Sequence, residues 1–298
     1  MTWTAVEARL TGVGPTWPDS LLGHLVATAV PGVEEWRDGA YRRILTLADG
    51  PAVVAVRPGT DVLPVRLLLT DPADEAEAIA LARRLLDLDR DTRVVDAHLS
   101  RDPVLAPLVA AALGRRVPGL PDVGEAVVRA VLGQQVSTAA ARTHAGRLAE
   151  ALGEPVVDPE GGLTRAFPTA AAVADAPDEL LRLPARRRDS LRAAAAVVAA
   201  APWGRSPDPA EVVAALDPVP GIGPWTTGTA AMRALGDPDV LLAGDLGLRA
   251  AARGLGLPDA PRPLTARAEV WQPYRSYAVQ HLWGVLDHPI NTLPAHPA

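Results

Sequence analysis

Cysteine is absent from the 298-residue chain, which excludes disulfides, thiolate nucleophiles, iron–sulfur clusters and cysteine-ligated zinc. Lysine is absent too, all 29 basic residues being arginine. Without an ε-amine, Schiff-base chemistry on an aldehyde sugar would have to use the chain's own α-amino group. Aromatic residues are few, at 4%, and most of them are tryptophan: seven Trp against three Tyr and one Phe. A core with 48% hydrophobic residues and so few rings is filled by Ala, Val and Leu, which suits close-packed helices. The tryptophans suit stacking on flat or cationic rings. No apolar run approaches the roughly 20 residues that span a bilayer, and the opening MTWTAVEARL lacks the basic and apolar segments of a secretion signal. The expectation is a cytoplasmic protein without membrane contact. A net charge of −6 argues against bulk electrostatic attachment to nucleic acid, so any such contact must be local, through backbone amides and a few arginines. His24, His98, His144, His281, His288 and His296 lack metal-ligand spacing.

The first part of the chain, over 1–97, reads as mixed α and β. A helix is predicted over 20–29, strands over 41–47, 52–57 and 65–70, and a helix over 74–86. Turn signals at Ala48-Asp49-Gly50-Pro51 and Pro58-Gly59-Thr60-Asp61 separate the strands. The result is a small antiparallel sheet with helices on one side. Beyond Asp102 strand signals vanish and helical runs alternate with Pro/Gly punctuation, including 123–131, 137–152, 187–200, 209–216, 225–235, 246–255 and one long helix over 265–285.

The most informative segment is Val213-Ala214-Ala215-Leu216-Asp217-Pro218-Val219-Pro220-Gly221-Ile222-Gly223-Pro224-Trp225-Thr226-Thr227. Pro220 ends one helix, Gly221 and Gly223 permit positive φ and close backbone approach, and Pro224 stands where a first-turn proline belongs. Amides after such a turn point outward at a helix N-terminus, where hydrogen bonding and the dipole both favour a phosphate; the same turn also serves as a plain connector. Further on, in Leu241-Leu242-Ala243-Gly244-Asp245-Leu246-Gly247-Leu248-Arg249, Asp245 fits a helix N-cap and equally a carboxylate facing positive charge that develops on a sugar. Arg186-Arg187-Arg188 reads as a solvated helix start or a phosphate contact.

Together these two segments resemble the helix-hairpin-helix, Gly/Pro-rich loop and aspartate signature of the base-excision DNA glycosylases. Within that superfamily they are most similar to the AlkA-type 3-methyladenine DNA glycosylase II family. Ala130-Val131-Leu132-Gly133-Gln134-Gln135-Val136-Ser137, Trp271-Gln272-Pro273-Tyr274-Arg275-Ser276-Tyr277-Ala278 and His281-Leu282-Trp283 carry the resemblance further.

The resemblance implies a mainly α fold with an N-terminal α+β domain, and two helical lobes with the active cleft between them. It implies that Asp245 is the essential carboxylate and that Trp225, Trp283, Thr229 and Tyr277 line the base pocket. Gly221, Gly223 and Thr226 would give amides to phosphates, and Gln134 and Gln135 would lie on the loop that fills the gap left by a flipped nucleotide. The carbonyls of Asp217, Val219 and Ile222 would hold a structural Na+ or K+, no other cofactor being required. Relatives that cleave the DNA backbone carry a lysine where Trp225 stands, so hydrolysis without strand cleavage is implied.

The expected partition is 1–97, 123–237 with the hairpin, and a second lobe from 98–122 plus 238–298. The expected partner is duplex DNA containing alkylated bases, bound by a monomer. Two alternatives stand beside this reading: a non-catalytic module that uses the hairpin as a phosphate clamp, and a glycosylase for another lesion such as hypoxanthine or uracil. Trp3, Trp17, Trp36, Trp203 and Trp271 are read as packing residues, and His24 as a residue facing the pocket from the N-terminal domain.

Overall fold

The computed structural model describes residues 2–203 and 207–294. Five strands, β1 (Thr4–Thr11), β2 (Glu34–Arg37), β3 (Ala40–Thr46), β4 (Pro51–Val56) and β5 (Val62–Leu69), form one sheet in the order β1-β5-β4-β3-β2. Every neighbouring pair is antiparallel. Helix α1 (Pro18–Ala27) lies between β1 and β2 in the chain, and α2 (Glu75–Leu85) follows β5. Leu21, Leu22 and Leu25 of α1 and Ala78, Leu81 and Leu85 of α2 bury one face of the sheet with Val54, Val56, Leu67 and Leu69. The other face is covered by a non-helical segment, Ile44, Val53 and Leu68 packing against Val156, Leu163 and Ala166, so the helices α1 and α2 lie on one side as expected.

Two strands escaped the sequence reading. β1 is an edge strand that alternates Val6, Ala8 and Leu10 toward the core with Glu7 and Arg9 outward, a short period-two pattern that was there to be read. β2 has only four residues, and it is set by Asp38-Gly39, whose φ values of 51° and 71° make the two-residue turn that suits a hairpin.

The helical part comprises α3 (Thr92–Leu99), α4 (Ala106–Ala111), α5 (Val123–Gly133), α6 (Thr138–Leu152), α7 (Ala170–Ala174), α8 (Asp178–Leu181), α9 (Ala185–Ala200), α10 (Pro209–Leu216), α11 (Pro224–Ala234), α12 (Leu246–Gly254), α13 (Pro261–Arg267) and α14 (Arg275–Trp283). It has two cores. One joins α5 to α11 through Val127, Val131, Leu148, Leu191, Ala194, Val212 and Ala230. The other joins Val95 and Leu99 of α3 and Val109 of α4 to Met232, Leu248, Leu264, Trp271, Tyr277 and Leu282. Helix α11 contributes to both, so it is the shared wall between the lobes.

The long helix predicted over 265–285 is overturned. It is interrupted by a 3₁₀ turn at Ala268–Trp271 and by Pro273, which has no amide to donate and whose ring excludes the preceding helical turn.

Buried charge ties the sheet to the helical part. Arg43 of β3 reaches Glu34 of β2 at 3.2 Å and Glu125 of α5 at 2.8 Å, and Arg129 of α5 bridges the same two carboxylates at 2.8 Å each. Removing one member would strand a buried charge, at a cost of about 3–5 kcal/mol.

Candidate active site

The hairpin between α10 and α11 is held by its own backbone. The Val219 amide donates to the Leu216 carbonyl at 3.0 Å and the Ile222 amide to the Val219 carbonyl at 3.0 Å. Gly221 has φ +83°, and a Cβ there would lie 2.2 Å from Ser190 Oγ, so only glycine lets the turn pack on α9. That contact brings the hairpin beside the Arg186-Arg187-Arg188 helix start, where Arg188 is engaged with Asp178 at 2.7 Å and Arg186 is exposed. Gly223 is the N-cap of α11, and space is open where its side chain would be. Among the described residues, the Gly221 and Gly223 amides donate to no protein group.

Thr226 differs from expectation. It is buried, its amide donates to the Gly223 carbonyl at 2.9 Å, and its hydroxyl accepts from Gln134 Nε2 at 3.0 Å. An amide spent inside the first turn is not offered to a phosphate. Gln134 also donates to the Gly221 carbonyl at 3.0 Å, so this side chain latches the end of α5 to the hairpin. Its neighbour Gln135 is exposed, with φ +58°, and projects free.

Asp245 lies at the lobe junction. As N-cap of α12 its Oδ1 accepts from the Leu248 amide at 2.7 Å, which satisfies an orphan donor of the first turn. Trp283 Nε1, at the end of α14, donates to the same oxygen at 3.0 Å, and Trp225 Nε1, in the first turn of α11, donates to Oδ2 at 3.0 Å. Three N–H groups thus fix the carboxylate, and among the described residues no cationic side chain pairs with it. Gly244 has open space at its Cβ position, and a Cβ on Gly247 would stand 3.2 Å from Asp245 Oδ1 and 3.6 Å from Trp283 Nε1. Asp245 is half-buried, and Gly244 puts no side chain over it. Leu246 next to it is 74% exposed.

The other residues expected in the pocket are placed differently. The Thr229 hydroxyl donates to the Trp225 carbonyl at 2.6 Å, one turn back, so it keeps its acceptor lone pairs and methyl group but has no proton left to donate. Tyr277 is corrected outright: it is 1% exposed and its hydroxyl donates to Asp87 Oδ2 at 2.7 Å, which makes it a core residue of the second lobe. Burial pushes the Asp87 carboxyl above its usual range, against the Tyr277 bond that holds it down.

Arg233 joins the site without belonging to any motif of the sequence. It lies on the face of α11 that carries Trp225 and Thr229 and contacts His24 of α1 at 2.9 Å. His24 in turn stands beside Trp283, ring centroids 6.3 Å apart. Two surface grooves lie elsewhere, one lined by Arg37, Arg57 and Arg66 on the sheet and one by Trp36, Arg142 and Pro289. Neither includes Asp245.

Comparison with known proteins is consistent with this geometry. The AlkA N-terminal domain family matches residues 9–122. The chain is 46% identical over 297 residues to a probable bifunctional transcriptional activator/DNA repair enzyme AlkA of Mycobacterium tuberculosis, covering 97% of this chain and 59% of that protein. It therefore spans little more than half the length of that relative. It is 34% identical over 271 residues to DNA-3-methyladenine glycosylase 2 of Escherichia coli, covering 88% of this chain and 92% of that one. In fold it is similar to the 3-methyladenine DNA glycosylase from Archaeoglobus fulgidus, with a TM-score of 0.77 at 21% identity over 93% of this chain and 97% of that chain. With a helix-hairpin-helix fold, and with a relative matched over nearly its whole length, the chain belongs to the AlkA family of DNA-3-methyladenine glycosylases.

Proposed function

We propose that this protein flips alkylated purines of the 3-methyladenine and 7-methylguanine class out of duplex DNA and hydrolyses their N-glycosidic bond, leaving an intact abasic strand. The observation that carries this reading is the half-buried Asp245 carboxylate, held by two indole N–H groups and a backbone amide, with no cation among the described residues to neutralise it.

A glycosidic bond is shielded in the stacked duplex, so the nucleotide must leave the stack, which costs least for damaged bases. The exposure of Gln135 and its position beside the hairpin support a role for it in filling the gap the nucleotide leaves. The Gly221 and Gly223 amides and exposed Arg186 supply local phosphate contacts, which a chain of net charge −6 requires. Alkylation at N3 or N7 makes the purine cationic, so tryptophan faces attract it and it departs without a general acid. Positive charge then develops on the sugar, where a fixed carboxylate stabilises it and orients the attacking water.

The absence of lysine and the presence of Trp225 in the first turn of α11 support hydrolysis without strand cleavage. We also assign a Na+ or K+ to the carbonyls of Asp217, Val219 and Ile222. The Asp217 and Ile222 carbonyls accept no backbone hydrogen bond among the described residues, and the Val219 carbonyl, which accepts from the Ile222 amide at 3.0 Å, keeps a second lone pair. A bound cation would brace the turn that presents the glycine amides. The protein is read as acting as a monomer.

The test is incubation with dimethyl-sulfate-treated duplex DNA, with separate assay of released bases and of strand breaks before and after alkali. Release of methylpurines with strands that break only in alkali supports the reading. DNA binding without release of any base would replace it with that of a phosphate-clamping module.

A further inference from the structure

Along α11 the side chains of Trp225, Thr229 and Arg233 recur every four residues and share one face. Trp225 lies on Asp245 at 3.0 Å, and Arg233 lies two turns further, about 12 Å along the axis at about 1.5 Å per residue. Trp283 bonds the other oxygen of Asp245 and faces His24 with its ring. His24 therefore stands between Arg233 and Trp283, one indole removed from the carboxylate. A purine held with its sugar bond at Asp245 and its six-membered ring toward His24 would bring its C6 substituent to that imidazole.

The protonation of His24 is fixed by its partner. Guanidinium groups only donate, so the 2.9 Å contact makes His24 Nε2 an acceptor and puts the ring proton on Nδ1. Arg233 cannot swing away, since its Nε donates to the Pro118 carbonyl at 2.8 Å. Burial first, and then the charges of Arg233 and Arg129, hold the His24 imidazolium well below its usual range, so the ring stays neutral and does not repel a cationic base.

We propose that His24 is a specificity-determining residue, its Nδ1–H donating to an acceptor at C6 of the flipped base and so favouring 6-oxopurines over 6-aminopurines. A fixed donor opposite an amino group leaves two donors unpaired, and a site built around one hydrogen bond discriminates strongly against partners that cannot complete it. The Arg233–His24 pair is what holds the donor in this tautomer.

This inference rests on the base-excision reading above, and one digest separates the two. Dimethyl-sulfate-treated DNA contains guanine and adenine methylated at N3 and at N7, so the four released bases can be compared in pairs that share a methyl position. Wild type, His24→Phe and His24→Asn are compared, with affinity for abasic duplex as the check of folding. Phe keeps the ring and loses the donor, whereas the Asn amide keeps an N–H near the Nδ1 position. The guanine-to-adenine release ratio should fall about tenfold in His24→Phe at both methyl positions and stay near wild type in His24→Asn. An unchanged ratio in His24→Phe, or an equal fall in both variants, would overturn the proposal and leave base excision standing. A wild type that releases no base overturns both.

Discussion

Among the described residues two carboxylates, Asp102 and Asp245, rest on indoles, and they differ in what else they hold. Asp102 is 7% exposed; its Oδ2 accepts from Trp271 Nε1 at 2.8 Å and pairs with Arg267 at 2.5 Å, while its Oδ1 accepts from the Val104 and Leu105 amides at 2.9 and 3.3 Å. The Arg267 guanidinium lies 5.3 Å from the Trp271 ring centroid, which closes the cluster. Asp245 accepts from one backbone amide rather than two, and a second indole bonds it where Asp102 has its arginine. A carboxylate with a cation is satisfied and structural. Held in place without one, and with no side chain from Gly244 over it, it keeps a field for a positive charge that arrives later.

The largest effect expected from breaking this contrast is at Asp245. Asn caps a helix as well as Asp but carries no charge, so single-turnover excision by Asp245→Asn should fall about 10³-fold while affinity for abasic duplex stays at the wild-type level. Next come the indoles. Trp225→Phe and Trp283→Phe keep a stacking face and lose one donor each, and each should slow excision about tenfold, since hydrogen bonds to charged groups are worth about 1.5–3 kcal/mol.

Asp102→Asn should act on stability alone. Loss of the charge opposite Arg267 is expected to cost about 2 kcal/mol, read as a lower midpoint in urea unfolding, with the excision rate per folded molecule unchanged. The pH dependence sharpens the difference. Burial pushes Asp102 up, but the bonds from Trp271 and Arg267 outweigh it and hold the carboxyl below its usual value of 3.8. A depressed carboxylate stabilises fully above its unfolded-state value, and that stability is lost as pH falls through the lower folded-state value. Acid unfolding below about pH 4 should therefore be steeper in wild type than in Asp102→Asn. The smallest effect is expected at Tyr277. Tyr277→Phe removes one of the two hydrogen bonds to Asp87 Oδ2, the Val117 amide at 3.1 Å keeping the other, and should cost about 1 kcal/mol without altering excision, in keeping with a core residue.

What the sequence made legible was local. The spacing of Pro220, Gly221, Gly223 and Pro224 dictates a turn and a helix start within a few residues, and Asp245 ahead of Leu246–Gly254 is a cap by position. The sheet was read in its three apolar strands and missed in its exposed edge and in a strand of four residues. Depth was not legible, because it depends on partners far away in the chain. Tyr277 is withdrawn from the pocket by Asp87, 190 residues earlier, and Trp271 is fixed by Asp102, 169 residues earlier. Arg233 gains its role through His24 across 209 residues, which no spacing on α11 could announce. Thr226 looked like a phosphate ligand because it follows the glycine turn. It serves instead as an acceptor for Gln134, a contact that needs α5 brought against the hairpin.

The most direct test sets the two aspartates against each other: single-turnover release of 7-methylguanine from one methylated duplex by Asp245→Asn and by Asp102→Asn, each scaled to folded protein. If the cation-free carboxylate is the reacting one, Asp245→Asn is nearly inactive and unfolds like wild type, while Asp102→Asn is active and unfolds early. Excision by Asp245→Asn within tenfold of wild type would contradict that assignment.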